Sequence, residues 1–589
     1  MFFSYILDLR KYMKKILIAN RGEIALRIMQ AASEMGIETV AIYAEEDKFS
    51  MHRFKADEAY RIGQGKKAAE AYLEIEDIIK LAQETNVDAI HPGYDFLSEN
   101  IDFARKVEEA GLIFIGPNLK HLDTFGDMIK AKRAAEATGI RSLPETADTV
   151  NLEDALDFAR VHGYPVAIKS ALLDDCRLRV VRNEAEMRVG YARAKSESQT
   201  FAGSSRVYVE KYIENAKHIE VQILGDQHGN VRQLFERDCS IQWRSQKIIE
   251  LAPAVGLSQS LRMHINNAAL KLAKSVDYVN AGTVKFLVTD DDFYFTEVKP
   301  CIQASHTVTE MITGIDIVVS QLKIAMGLSL ESIGIPEQSQ LKTLGVTLQA
   351  RIRAEKPESN FYPATGKIET YYASGGCGVR LDLGNAYVGY ELLPHFDTLL
   401  VKAVTYAPDF NEAARKMARV LREFCIQGVE TNLPFLINIV EHPVFLTGQA
   451  KTSFIDQTPE LFTSEPTVSQ STKILNYISD ITVNGFPDLE DKINPFFLMY
   501  PQVLLDYKEK QKRYGAITHL DTPTFFSGMC QGEKIEVQLE KGKVLVIHLE
   551  VIGAVDDNGY RTLFFKINGE RREIRIEDHS VQEQNVESL

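Results

Sequence analysis

The segment from Thr283 to His306 constrains the fold of this chain more than any other stretch, because it predicts a β-hairpin. Two runs of alternating apolar residues flank a short acidic turn, Thr289–Asp292. With the turn centred on Asp291, Lys285 and Glu297 are equidistant from it and lie opposite each other on one face. A partly buried glutamate requires a charge partner, so we expect an ion pair between these two residues.

Residues 15–117 alternate between short apolar strands and amphipathic helices. Lys15–Ala19 predicts a strand, a helix follows through about Met35, and Glu38–Tyr43 predicts a second strand. The same alternation continues to Gly116-Pro117. This pattern predicts a small doubly wound α/β domain.

Several longer motifs resemble those of the biotin carboxylases, a family of ATP-grasp proteins. These motifs are IANRGEIALRI from Ile18, AIHPGYDFLSEN from Ala89 and EVKPCIQASH from Glu297. The resemblance implies an α/β fold made of a doubly wound N-terminal domain, an ATP-grasp domain and an α+β C-terminal lobe.

The C-terminal part resembles the small allosteric and tetramerisation domain of pyruvate carboxylases. The motifs are ITVNGFP from Ile481, LDTPTFF from Leu520 and RTLFFKINGERREIRIEDHS from Arg561. In that family a carboxyltransferase barrel interrupts this domain and a biotinyl domain follows it. This sequence has neither, and no AMKM motif, so we expect both modules to be lacking and no biotin to be attached. Gln470 stands where the family tends to have an arginine that binds acetyl-CoA, which puts that activator site in doubt.

These resemblances divide the chain into four domains and a tail. The expected bounds are 1–126 for the N-terminal domain, 127–340 for the ATP-grasp domain with a lid at about 146–212, 341–463 for the C-terminal lobe, 464–579 for the small mostly β domain and 580–589 for the tail.

Five positions that carry chemistry in the family hold different residue types here. They are Met128 for a phosphate-contacting lysine, Lys285 for a metal-binding glutamate, Lys299 for an asparagine, Cys301 for the bicarbonate-binding arginine and Ser305 for the general base. Loss of a general base alone costs about 10²–10⁴-fold in rate. Glu297 is the single metal carboxylate retained, so we expect no metal site and no intact catalytic set.

Other family positions are retained. The resemblance assigns catalytic roles to Lys247, Gln303 and Arg351, and nucleotide binding to Lys169, Glu210, Lys211, His218 and Gln242. The segment after Lys169 lacks the glycine run that closes over phosphates in the family, and its Asp174 and Asp175 would repel a triphosphate.

Two replacements leave alternatives open. Met128 predicts a helix residue that packs on its neighbours, unless Lys130 or Lys132 reaches the phosphate position instead. Trp243, the single tryptophan, occupies an arginine position of the family. It either fills the volume of a missing substrate or stacks on a different planar ligand.

Composition excludes several classes of partner. The net charge of −15 argues against nonspecific binding to nucleic acid or to an anionic membrane. Six scattered cysteines without a C-x-x-C pair indicate reduced thiols and a cytoplasmic protein. No run approaches the roughly 20 apolar residues of a membrane span, and the first twelve residues do not read as a signal peptide.

The sequence therefore predicts a catalytically inactive carboxylase-like protein that acts as a regulatory, scaffolding or assembly subunit. It requires no cofactor, retains at most a weak ATP or ADP site, and associates with itself or with a full-length pyruvate carboxylase. Two alternatives stay open: an ATP-dependent biotin carboxylase or ligase with residual or altered activity, and a nucleotide or CoA sensor without turnover.

Overall fold

The computed structural model describes residues 13–146, 151–170, 179–202, 205–463, 470–485, 519–556 and 559–580. They belong to two compact units, Met1–Thr463 and Ser464–Leu589. Four sequence expectations fall outside the described residues: the acidic segment with Asp174 and Asp175, the first twelve residues, the side chain of Gln470 and the segment 486–518. The predicted bounds within each unit stay predictions.

The first unit begins with a five-stranded parallel sheet. Its strands are β1 (Lys15–Ile18), β2 (Glu38–Tyr43), β3 (Glu58–Arg61), β4 (Ala89–His91) and β5 (Ile113–Phe114). The helices are α1 (Gly22–Glu34), α2 (Met51–Lys55), α3 (Ala68–Ala71), α4 (Ile75–Glu84), α5 (Ile101–Glu109) and α6 (Leu119–Phe125). The strand order β3-β2-β1-β4-β5 reverses at β1, as in doubly wound folds.

A small three-stranded sheet follows, with strand order β7-β6-β8. The elements are α7 (Met128–Ala137), α8 (Leu152–His162), β6 (Val166–Ser170), β7 (Arg179–Val181), α9 (Glu184–Ala202) and β8 (Val207–Lys211). Apolar residues of α8 and α9 pack on this sheet in one buried cluster. Because β6 pairs with β8, Lys169 and Glu210 lie on neighbouring strands.

An eight-stranded antiparallel sheet forms the centre of the unit. The elements from residue 217 on are β9 (Lys217–Gly225), β10 (Val231–Trp243), β11 (Gln246–Ala252), α10 (Gln259–Ser275), β12 (Asn280–Val288), β13 (Phe293–Lys299), α11 (His306–Thr313), α12 (Ile317–Ala325) and β14 (Val346–Arg353). The remaining elements of the unit are β15 (Glu355–Lys356), β16 (Tyr362–Pro363), β17 (Gly366–Lys367), β18 (Thr370–Tyr372), β19 (Val379–Leu383), β20 (Glu391–Leu392), β21 (Leu399–Ala407), α13 (Phe410–Glu423), β22 (Cys425–Gln427), α14 (Leu433–Glu441) and α15 (Pro443–Leu446). The sheet has the order β13-β12-β9-β10-β11-β14-β21-β19, so strands of the C-terminal lobe continue the sheet begun by the predicted hairpin.

The second unit is a helix packed on a four-stranded antiparallel sheet. Its elements are α16 (Gln470–Asn484), α17 (Thr522–Ser527), β23 (Lys534–Glu540), β24 (Lys543–Val555), β25 (Tyr560–Ile567) and β26 (Glu570–Glu577). Ile474 and Ile478 of α16 share a buried apolar cluster with Leu549 and Phe565 of the sheet. The expected small mostly β domain is thereby confirmed, as is the α/β fold of the first unit. Within the described ranges, no helix is both long and apolar enough to cross a membrane.

Two buried histidines couple the stability of the first unit to pH. Burial lowers the pKa of His91 on β4 to about 3 and that of His52 in α2 to about 4, from 6.5. As the pH falls below about 6.5, these histidines become protonated in the unfolded chain but stay neutral in the folded chain. The free energy of unfolding therefore falls by up to about 1.4 kcal/mol per pH unit for each histidine.

We predict that His91→Asn reduces this acid sensitivity. An asparagine can still accept the backbone N–H of Gly93, which lies 3.0 Å from His91 Nδ1, but it does not titrate. The melting temperature of the variant at pH 5 relative to pH 7 should drop less than that of the native chain. The exposed His264 provides the control, His264→Asn, and an equal drop in both variants would refute the prediction.

Candidate functional site

The predicted hairpin is formed by β12 and β13, and a β-bulge sets its register. Near the turn Phe286 pairs with Phe295, but one step further Lys285 pairs with Glu297, so Thr296 is the extra residue. Without the bulge, Lys285 would face Thr296. The predicted pairing of Lys285 with Glu297 is confirmed: Lys285 Nζ lies 2.5 Å from Glu297 Oε1.

This pair extends into a row of alternating charges across four neighbouring strands. From β10 to β13 the paired residues are Arg237, Glu220, Lys285 and Glu297, and we call them the charge row. Paired residues on adjacent strands project to the same side of a sheet, so each charge has an opposite charge beside it. All four side chains are buried.

Glu220 is the centre of the charge row. Its Oε2 accepts from Arg237 Nε at 3.0 Å and from Ser305 Oγ at 3.3 Å. Its Oε1 accepts from Lys247 Nζ at 2.5 Å, and His218 Nε2 lies 3.6 Å from the same oxygen. Both oxygens of the buried Glu220 carboxylate therefore contact basic groups.

Within the charge row, Glu220 and Lys285 stay ionised at neutral pH. Burial alone would raise the pKa of Glu220, but Lys247, Arg237 and Lys285 hold it well below its usual range. Burial would lower the pKa of Lys285, and Glu297 together with Glu220 outweighs that effect and raises it. Lys285 is therefore an ammonium ion, fixed between two carboxylates.

A cavity of about 720 Å³ lies over this part of the sheet. The predicted site residues that line it are Lys169, Glu210, Lys211, His218, Gln242, Lys247, Lys285, Glu297, Lys299, Gln303 and Arg351. The fold thus brings together eleven of the residues that the resemblance singled out. Met128, Cys301 and Ser305 are buried outside this lining.

Two of these three residues, Met128 and Cys301, have uncharged side chains in buried surroundings. Met128 begins α7 and is 7% exposed, as expected for a packing residue. The Sγ of Cys301 lies 3.4 Å from Glu99 Oε1, and burial together with that carboxylate raises the pKa of the thiol well above its usual range. Cys301 is thus a neutral thiol where the family has a cationic arginine.

Lys132 and Lys130 behave differently. Lys132 is buried and bonds both Glu145 and Glu210, and Glu210 also accepts from Lys169 Nζ at 3.0 Å. Lys130 is exposed and pairs with Asp123 at 2.8 Å. Lys132 therefore reaches the carboxylate that binds the retained Lys169, whereas Lys130 bonds a carboxylate at the exposed surface.

Trp243 serves the core of the C-terminal lobe. Its ring centroid lies 5.4 Å from that of Phe361 and 5.7 Å from that of Phe462, outside the lining of the cavity. The sequence interpretations placed the indole either in the volume of a missing substrate or against a planar ligand, and both are corrected: the side chain packs against the apolar cluster next to β10. Arg351 lines the cavity. Its guanidinium donates from Nε to Oε1 of the buried Glu250 at 2.8 Å.

The residues at the hairpin do not fit a divalent cation. Mg²⁺ and Ca²⁺ require oxygen ligands, but Glu297 Oε1 bonds the Lys285 ammonium and Oε2 lies 3.8 Å from Lys299 Nζ. A cation at Glu297 would have to displace one ammonium and lie beside the other. In the part of the chain that is described, no three His, Cys, Asp or Glu side chains are grouped to hold a metal ion.

Comparison with known proteins decides the family. The profile of the biotin carboxylase N-terminal domain matches residues 12–122, that of the carbamoyl-phosphate synthase L chain ATP-binding domain matches 127–333, and that of the biotin carboxylase C-terminal domain matches 349–457. The biotin carboxylase domain of the Hydrogenobacter thermophilus 2-oxoglutarate carboxylase, solved as a dimer with MgADP and bicarbonate, is 41% identical. It aligns over 77% of this chain and 99% of its own, with a TM-score of 0.74. The chain belongs to the biotin carboxylase family.

Within this family the chain resembles the N-terminal part of pyruvate carboxylases. The Bacillus subtilis pyruvate carboxylase is 53% identical over 488 residues, which are 82% of this chain and 42% of that enzyme. A conserved carboxylase domain profile also matches residues 486–548. This biotin carboxylase-family chain therefore spans about two fifths of the length of the curated relatives it matches.

A further relative was solved in a different ligand state. The biotin carboxylase domain of a thermophilic 2-oxoglutarate carboxylase was determined with ADP, without magnesium and with a disordered phosphate tail. It is 41% identical over 77% of this chain and 99% of its own, with a TM-score of 0.65.

Sequence reasoning missed the residues on which the site depends most. Glu220, Arg237 and Glu250 were not selected from the sequence. Each of them lies in the same strand as a residue that was selected as a site residue. The available signal was the alternation in β9: His218, Glu220 and Gln222 point to one side of the strand, and the apolar Ile219, Val221 and Ile223 point to the other. A carboxylate in such a position needs basic neighbours on the adjoining strands.

We predict that Glu220→Gln strongly destabilises the first unit. The variant leaves Lys247, Arg237 and Lys285 buried around a neutral amide, and breaking a buried ion pair costs about 3–5 kcal/mol. Urea unfolding at pH 7 measures the loss. Glu214→Gln is the control, because Glu214 pairs with Arg182 at the exposed surface and should change stability by less than about 1 kcal/mol. Equal midpoints for the two variants would contradict the central role of Glu220.

Proposed function

We propose that this chain is a biotin carboxylase-family protein that does not carboxylate biotin and that acts as a regulatory, scaffolding or assembly subunit. One observation carries the proposal: Lys285 lies at 2.5 Å from Glu297, the single metal carboxylate retained from the family pattern. The hairpin that holds a metal in the family, as the resemblance implies, is here closed by an internal ion pair.

The remaining replacements support the same conclusion. The general-base position is Ser305, whose hydroxyl donates to Glu220 and cannot act as a carboxylate base. The bicarbonate position is Cys301, a buried neutral thiol. Metal neutralisation, bicarbonate binding and proton abstraction are thus each weakened, and the three losses act on successive parts of one reaction.

We predict that the purified chain releases no phosphate from ATP in response to bicarbonate and free biotin. The physical reason is that Mg²⁺ has no open carboxylate at the hairpin. A coupled phosphate assay measures the release, with the Bacillus subtilis pyruvate carboxylase as the positive control. Biotin-dependent release at a rate comparable with that control, from a preparation free of host carboxylase, would overturn the proposal.

A second candidate is a nucleotide or CoA sensor without turnover. It is favoured by the open cavity of about 720 Å³, whose lining includes Lys169, His218 and Gln242. An ATP-dependent ligase with residual or altered activity is distinguished from both by magnesium-dependent ATP turnover. The sensor would show ligand-dependent thermal shifts and no turnover.

Self-association is the assembly that the comparisons favour. The similar domain from Hydrogenobacter thermophilus was solved as a dimer, and surfaces in symmetric oligomers are self-complementary. A chain that keeps such a surface can pair with another copy of itself or with a related full-length pyruvate carboxylase.

We predict that mass photometry of the purified chain gives a particle of twice the mass of one chain. Mixing with the host's pyruvate carboxylase should then yield heavier mixed particles and a changed carboxylase activity. A strict monomer that leaves both the mass and the activity of the enzyme unchanged would refute the assembly role.

A further inference from the structure

We propose that the cavity binds a diphosphate group without a metal ion, and that the ammonium groups of Lys285 and Lys299 replace the divalent cation. The group is either the phosphate tail of a nucleotide or free pyrophosphate. This inference rests on the proposed function, since it assumes that the site no longer turns over MgATP.

The two ammonium groups flank the Glu297 carboxylate, and Lys299 Nζ also donates to Glu99 Oε2 at 3.4 Å. Lys285 Nζ lies 2.5 Å from Glu297 Oε1, and Lys299 Nζ lies 3.8 Å from Glu297 Oε2. Both lysines line the cavity, yet they are only 8% and 6% exposed. Lysine side chains usually lose considerable rotamer entropy when they bind an anion, and these two have already lost most of it on folding.

The wall around them has an excess of positive charge. Eight basic and six acidic side chains line the cavity, in a chain whose net charge is −15. Behind the lining, the buried Glu220 is matched by Arg237, whereas Glu250 bonds Arg351 of the lining and reduces the excess to one positive charge. The local excess of positive charge in an acidic protein is expected to attract anions to this cavity rather than to the surface.

The neighbours of Lys285 and Lys299 extend the basic surface. Lys247 and His218 lie on the same side of the sheet around Glu220, and Lys169 lines the cavity from β6. Lysine binds phosphate as a point charge. A diphosphate at the hairpin would therefore meet ammonium groups from two separate sheets.

Magnesium should weaken this binding. A Mg²⁺ ion neutralises two charges of the diphosphate and would be carried into the neighbourhood of two fixed ammonium groups, where like charges repel. In enzymes that bind a nucleotide with Mg²⁺, the ion contacts both the phosphates and a carboxylate of the protein. In this chain the Glu297 carboxylate is already bonded by Lys285. The expected dependence on metal is thus the opposite of that of a metal-requiring nucleotide site.

Isothermal titration calorimetry of the full chain with ADP and with pyrophosphate, each in EDTA and in excess MgCl₂, tests the proposal. We expect binding in EDTA to be tighter by about tenfold or more. Tighter binding of ADP than of pyrophosphate identifies a nucleotide tail, and equal affinities identify the phosphate group alone. Binding that requires magnesium, or the absence of binding by both ligands in EDTA, would overturn the proposal.

Three variants sharpen the test. Lys299→Gln should weaken binding in EDTA about tenfold by removing one ammonium, and Lys285→Glu should reverse the metal dependence by placing two carboxylates on the hairpin. Lys130→Gln is the control, because Lys130 is an exposed lysine paired with Asp123, and its affinity should be unchanged. If Lys285→Glu fails to fold, Lys299→Gln still tests the proposal. An unchanged affinity of Lys299→Gln for the diphosphate in EDTA would refute the role of the two lysines.

The two proposals fail in different ways. Biotin-dependent phosphate release from ATP refutes the inactive carboxylase, whatever the calorimetry gives. Absence of turnover together with absence of metal-free binding leaves the proposed function standing and refutes the present inference.

Discussion

The structure of this site depends on the buried row of alternating charges formed by Arg237, Glu220, Lys285 and Glu297. Each charge is removed from water, which costs several kcal/mol per ion unless an opposite charge lies beside it. The antiparallel pairing of four neighbouring strands supplies that partner at every step. The row therefore stabilises this sheet, and two of its members, Lys285 and Glu297, line the cavity above the sheet.

A single change of charge in this row alters the chemistry of the whole site. A glutamate at position 285 would leave two carboxylates facing each other, an arrangement that requires either a shared proton or a bound cation between them. Lys285 supplies the cation covalently, so the hairpin is stable without metal. Lys299 adds a second ammonium on the other side of Glu297. The hairpin thus carries two ammonium groups beside one carboxylate.

Sequence reasoning reached the fold and part of the site. Alternating apolar patterns and family motifs were sufficient for the sheets, and the pairing of Lys285 with Glu297 followed from a symmetric turn. That pairing holds because of a bulge at Thr296, which a symmetry argument could not foresee. Glu220 was missed because its partners come from three other strands, and Trp243 was misplaced because an apolar cluster distant in sequence captured it. Contacts between distant segments carry the information that local patterns lack.

The central claim is that Lys285 takes the place of a metal ion at Glu297. The most direct test is to locate a divalent cation that is supplied to the protein. Crystals soaked with MnCl₂ and ADP, measured at the manganese absorption edge, would locate bound Mn²⁺ by its anomalous signal. The account predicts no manganese at Glu297, with the Lys285 ammonium still bonded to that carboxylate. A manganese ion coordinated by Glu297, with Lys285 displaced, would contradict it.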